Sequence, residues 1–178
     1  MTKTTTSQEK IAVFGSAFNP PSAGHQSVIE LLTHFDKILL IPSIAHAWGK
    51  EMLCYKHRCE LVDCFIADLK LDGVERSRVE EQIHSPGDSV TTFAVLQQLE
   101  KENPNSELTF VIGPDNFFNF SKFYKADEIV QRWSVVACPE KVKIRSTDIR
   151  VKIQAGEDVS ELTTPGVAAY LKSNALYT

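Results

Sequence analysis

Ile11-Ala12-Val13-Phe14-Gly15-Ser16-Ala17-Phe18-Asn19-Pro20-Pro21-Ser22-Ala23-Gly24-His25 is the stretch whose reading decides the fold. Ile11 to Phe14 is a short apolar run with the look of a fully buried strand. Gly15 and the small Ser16 and Ala17 behind it let backbone come close to an anion. Pro20 and Pro21 stiffen the path into a helix, and Gly24 takes side-chain bulk out of its first turn. A helix start carries unpaired amides that favour negative charge. His25 stands beside them as a hydrogen-bond donor, and the positive helix end favours its neutral form. Taken singly, Ser22 is an ordinary cap and His25 an ordinary surface residue. The whole string points to a phosphate-bearing ligand. Neither G-x-x-x-x-G-K-(S/T) nor G-x-G-x-x-G follows the strand, so the common ATPase and dehydrogenase readings lose their support.

Outward from this stretch, apolar residues alternate between two periods. Val28, Ile29, Leu31, Leu32 and Phe35 recur at helical spacing, and Ile38 to Ile41 is a second buried strand stopped by Pro42. Leu61, Val62, Phe65, Ile66 and Leu69 mark another helix, and Val74 to Val79 holds a short strand. Thr92 to Glu102 reads as helix, ended by Asn103-Pro104-Asn105. Leu108 to Ile112 and Trp133 to Cys138 read as strands, and Val167 to Leu171 as a closing helix after Thr164-Pro165-Gly166. Short apolar strands alternating with helices predict a Rossmann-like three-layer α/β/α fold around a central parallel sheet. Ligand loops then gather at the carboxyl ends of the strands. Residues 1–10 are polar and read as a flexible tail, and 11–178 as a single domain.

The 178 residues are enough for a sizeable core without metal or disulfide support. A net charge of −4 argues against a broad nucleic-acid surface, and no stretch has membrane-spanning length. Cys54, Cys59, Cys64 and Cys138 show no C-x-x-C spacing, which fits reduced thiols in a cytoplasmic protein better than structural zinc.

A second anion-binding candidate lies far along the chain, at Ile144-Arg145-Ser146-Thr147-Asp148-Ile149-Arg150. Ser146 and Thr147 can cap a helix starting near Asp148, and Arg150 one turn inside adds a permanently charged donor fork. Together the two segments resemble the signatures of the nucleotidyltransferases. The first is similar to G-x-F-(D/N)-P-x-H-x-G-H, with Ser22 at the place of the first histidine. The second is similar to I-S-S-T-x-x-R, with Arg145 in place of its first serine. In the middle, Val111 to Phe123, containing Gly113-Pro114-Asp115-Asn116, resembles the G-A-D-N-L-x-x-F-x-x-W run of the nicotinate/nicotinamide mononucleotide adenylyltransferases. His46-Ala47-Trp48-Gly49-Lys50, followed by Arg58, is similar to a family segment whose lysine reaches phosphate.

The resemblance implies adenylyl transfer from ATP to nicotinate mononucleotide, giving nicotinate adenine dinucleotide and pyrophosphate in NAD biosynthesis. It implies His25, Lys50 and Arg150 as electrostatic catalysts. ATP falls to Gly15, Ser16, Phe18, Ser22, Gly24, His25, Gly113, Asp115, Ser146, Thr147 and Arg150. The acceptor falls to Ala17, Lys50, Thr92, Asn116 and Phe123, with the Phe123 ring against the pyridine. Core packing claims two or three of Phe117, Phe118, Phe120 and Phe123. Magnesium (Mg2+) is expected on the ATP phosphates, without a carboxylate cage of protein origin. The partners implied are ATP and nicotinate mononucleotide, with a homo-oligomer left open. Alternatives are nicotinamide mononucleotide or pantetheine phosphate as acceptor, or a nucleotide-binding regulatory protein without turnover.

Overall fold

The computed structural model describes residues 7–46 and 49–178. The expected contribution of Trp48, and that of its neighbour Ala47, lies outside those residues, as does most of the expected tail. Five parallel strands form one sheet in the order β3-β2-β1-β4-β5. They are β1 (Glu9–Ser16), β2 (Lys37–Pro42), β3 (Val74–Arg76), β4 (Ser106–Ile112) and β5 (Ser134–Ala137). The chain runs outward from β1 in one direction and then returns to add β4 on its other side. The winding reverses between β1 and β4, and in open parallel sheets the crevice at the carboxyl ends of such strands is where ligands bind.

Alternate strand residues feed two cores. Ala12, Phe14, Ile38, Leu40 and Val111 pack with one set of helices: α1 (Ala23–Glu30), α2 (Tyr55–Leu69), α7 (Ser146–Gln154) and α8 (Pro165–Ser173). Ile11, Val13, Leu39, Ile41, Phe110 and Ile112 pack on the opposite face. There they meet α3 (Val79–Ile83), α4 (Thr92–Glu102) and α6 (Ala126–Arg132). Successive strand side chains point to opposite faces, so runs apolar at every position must be covered twice. The expected Rossmann-like three-layer arrangement is the observed one.

Several boundaries differ from the sequence expectation for local reasons. Glu9 and Lys10 extend β1, because their backbones pair with Ser106 and Glu107 of β4 although their side chains are polar. The α1 helix stops at Glu30, and Leu31 to Phe35 continue in turns that still seat Leu32 in the core. Val79 belongs to α3, not to a strand. Trp133 caps α6 through its N–H to the Ile129 carbonyl at 2.9 Å, and its ring packs edge-on against Phe93. A short α5 (Pro114–Asn119) and a single 3-10 turn (Phe120–Lys122) fill the segment after β4.

Candidate active site

β1 delivers Ser16 to the mouth of the crevice, and the chain then bends through Phe18, which adopts a left-handed φ of 45°. The Phe18 ring is fully buried, 5.7 Å from Phe14 and 4.8 Å from the His25 ring, so its side chain buttresses the site from below. A nucleotide can meet Phe18 only through its backbone. Ser22 is the N-cap of α1 and only 1% exposed. Its hydroxyl accepts from the His25 N–H at 3.3 Å and donates to the Ile144 carbonyl at 3.1 Å. It is thus a structural tie, and the direct phosphate contact expected of it is correspondingly screened.

The ring of His25 is fixed by its neighbours. The Ser22 backbone N–H donates to Nδ1 at 3.0 Å, so Nδ1 carries no proton and the neutral ring is protonated at Nε2. Nε2 lies 3.0 Å from Ser16 Oγ, directed toward the strand end. Burial lowers the imidazole pKa from 6.5 to about 4. His25 is therefore a neutral donor at physiological pH.

The second expected segment closes on the first. Arg145 is the N-cap of α7, with Asp148 Oδ2 accepting its N–H at 2.8 Å. Ser146 and Thr147 accordingly form the first turn rather than the cap. Ser146 Oγ donates to the Pro20 carbonyl at 2.6 Å. Arg150 donates to the Asn19 carbonyl at 2.7 Å and to Thr147 Oγ1 at 3.2 Å. A Cβ on Gly24 would collide with the Ile144 carbonyl oxygen. Gly24 thus serves the meeting of two backbones rather than access for a ligand. Gly113, by contrast, has open space where a side chain would stand, and it is the N-cap of α5 at the end of β4.

Ser16, Phe18, Ser22, Gly24 and His25 thereby come together with Ser146, Thr147 and Arg150, across more than a hundred residues of sequence. Asp115 joins them indirectly. Its carboxylate takes both arms of Arg145, at 3.0 and 3.2 Å, and Arg145 also pairs with Glu140. Lys50, Thr92 and Phe123 stand apart, each on its own element. Lys50 is exposed on the loop after β2, and Thr92 opens α4 with Thr91 as its cap. Phe123 packs 5.2 Å from Phe120 and 6.2 Å from Phe110. Phe120 and Phe123 lean on the core, whereas Phe117 and Phe118 are exposed.

Four residues to which the sequence reading gave no site role, Arg58, Glu80, Asn19 and Tyr177, take part here. Arg58 is 1% exposed and donates to the carbonyls of Leu53, Ala17 and Ile44. Glu80 is buried and accepts from the Ile44 N–H at 2.8 Å. Asn19 accepts on Oδ1 from the Leu53 N–H at 3.1 Å and from the Tyr177 hydroxyl. The turn residue in the motif was a usable signal for Asn19, and no pattern announces Tyr177 or Glu80.

Residues 13–156 match the model of the cytidylyltransferase-like family. A protein of Vibrio parahaemolyticus, assigned as a nicotinate-nucleotide adenylyltransferase, has a solved structure that is 54% identical in sequence. It superposes with a TM-score of 0.86 over 95% of each chain. The chain belongs to the nicotinate/nicotinamide mononucleotide adenylyltransferase family. A relative from Anaeromyxobacter dehalogenans assigned the same activity is 28% identical, covering 94% of this chain and 96% of its own. The nicotinic acid mononucleotide adenylyltransferase of Plasmodium falciparum, solved in complex with NaAD, shares the fold at a TM-score of 0.77. Its identity is 14%, over 95% of this chain and 97% of its own. Membership of this family supports nucleotidyltransferase activity in general. Among the described residues, no helix is long and apolar enough to cross a membrane.

Proposed function

We propose that this protein transfers the adenylyl group of ATP to nicotinate mononucleotide, releasing pyrophosphate. The observation that carries the reading is the union of two helix starts, α1 and α7, around a neutral His25 and the Arg150 guanidinium. Two helix starts with a neutral imidazole donor and a guanidinium suit phosphate oxygens. Names of the Vibrio and Anaeromyxobacter relatives support the same acceptor.

In this reading an oxygen of the mononucleotide phosphate attacks the α-phosphorus of ATP in line. The bond from that phosphorus to the bridging oxygen breaks, and pyrophosphate leaves with the electron pair. The attacking phosphate is already ionised near neutral pH, so no general base is needed. His25 Nε2–H and Arg150 steady the charge on the transferring and leaving oxygens. Lys50, on its exposed loop, adds charge where the acceptor phosphate enters. Magnesium accompanies the ATP phosphates in this reading. The imidazole, hydroxyls and guanidinium gathered here fit phosphate oxygens and not a cation. A cytoplasmic location belongs to the same proposal.

Specificity for the acid over the amide rests on the start of α4. Thr91 Oγ1 takes the Ala94 N–H, and the amides ahead of it remain to receive a carboxylate. An uncharged amide matches that place less well. The test is pyrophosphate release by the wild-type protein with nicotinate mononucleotide, nicotinamide mononucleotide and phosphopantetheine. The expected result is the highest kcat/KM for the nicotinate substrate. Equal values for acid and amide would overturn the specificity, and silence with all three would overturn the reaction.

A further inference from the structure

Asn19 accepts three hydrogen bonds where the two segments meet. Its carbonyl accepts from Arg150 Nη1 at 2.7 Å, and its side-chain oxygen accepts from the Leu53 N–H at 3.1 Å. The remaining position on that oxygen is filled by the hydroxyl of Tyr177, 158 positions away in sequence. Two lone pairs serve two donors, so the Asn19 side chain has no freedom to turn. Asn19 itself is only 6% exposed.

The segment that presents Tyr177 is held in an unusual backbone. Ala175 and Tyr177 both adopt left-handed φ values, 46° and 62°, which side chains with a Cβ rarely accept. Between them Leu176 is buried in the core of α1, α2 and α8, and its N–H reaches the Leu171 carbonyl at 3.1 Å. Such a conformation persists where surroundings over-determine it, and here its outcome is to aim one hydroxyl at Asn19.

We propose that Tyr177 is a positioning residue for adenylyl transfer, acting through Asn19 on Arg150. The Tyr177 hydroxyl locks the Asn19 side chain, the locked residue fixes the direction of its carbonyl, and that carbonyl orients the guanidinium. Burial raises the Tyr177 pKa, despite the nearby Arg150 and Arg58, so the hydroxyl stays a donor at working pH. The side chain has no part in the sheet, and its polar contact is made to the phosphate-binding turn.

The inference rests on the adenylyl-transfer reading, and a double-mutant cycle separates the two. Y177F, R150A and the pair are compared with wild type by pyrophosphate release, by affinity for a non-hydrolysable ATP analogue, and by Tm. All kinetics are run well below the lowest Tm. Y177F should lower kcat/KM for ATP about tenfold, the scale of one hydrogen bond to an ordered group. In the R150A background the same change should cost almost nothing, since the residue it positions is gone. Equal losses in both backgrounds would overturn the proposal and leave Tyr177 a packing residue. Unchanged turnover in Y177F would overturn it outright. If the wild-type protein turns over no acceptor, the reading of the reaction fails, and the analogue affinities of the same four proteins still decide the coupling.

Discussion

A backbone amide, not a carboxylate, sets the proton of His25. The Ser22 N–H occupies Nδ1, which leaves Nε2 as the donor, and burial holds the ring neutral down to about pH 4. The folded pKa lies below the unfolded one, so the unfolded chain binds the extra proton. Stability from this group is complete above about pH 6.5 and is lost as pH falls toward 4. Nitrogen-detected NMR of His25 should show the Nε2–H tautomer at pH 7 and a titration midpoint far below 6.5. A midpoint near 6.5 would remove the buried neutral donor. H25A should lose on the order of a hundredfold in kcat, the typical cost of one preorganised donor, with a smaller effect on Tm. The sequence supported a neutral donor at this position, because a helix start disfavours imidazolium. It also supported a cap at Ser22. It did not reveal that the cap hydroxyl is spent on Ile144, because that partner lies 122 positions away.

At the scale of elements, strands and long helices were legible where apolar residues kept a period. Ile11 to Phe14, Ile38 to Ile41, Leu108 to Ile112 and the α4 helix all follow from that pattern. The segment from Pro114 to Lys122 was not legible as short helices, since Phe117 and Phe118 are apolar yet face water. The glycines illustrate a different limit. Gly24 and Gly113 look alike in sequence, yet one abuts the Ile144 carbonyl and the other faces open space. Gly24→Ala should destabilise the protein by roughly 1–3 kcal/mol, the usual cost of overpacking, although alanine is the better helix former. Gly113→Ala should leave the urea midpoint within error of wild type. Matching midpoints for the two variants would mean that α1 and the 142–144 segment can part without cost.

Across the whole molecule, the loop after β2 is secured by two buried ionisable groups from different elements. Arg58 of α2 grips three carbonyls, and Glu80 of α3 holds the Ile44 N–H. Burial raises the Glu80 pKa from 4.5 to about 7, against the pull of the Ile44 N–H and Arg58. Here the folded state binds the extra proton, so stability falls as pH rises from about 4.5 to 7 and then levels off. E80Q keeps an acceptor for Ile44 and cannot ionise. Its stability advantage over wild type should widen by on the order of 2 kcal/mol between pH 5 and pH 8, read from urea unfolding at each pH. An advantage independent of pH would mean that Glu80 titrates normally. The layered fold was legible from the alternation of strands and helices. Assigning both segments to ATP implied that residues 19–24 and 142–150 meet, but the bonds between them were not legible, because they run through backbone carbonyls that every residue possesses.

That joining has a consequence for the birth of the molecule. A nascent chain emerging from the ribosome displays His25 early, beside a strand that β4 has not yet joined. Until residues 144–150 are also outside the exit tunnel, Pro20, Asn19 and Ser22 lack the partners that complete them. The contacts that join the two segments can therefore form only late in synthesis, once both have left the tunnel.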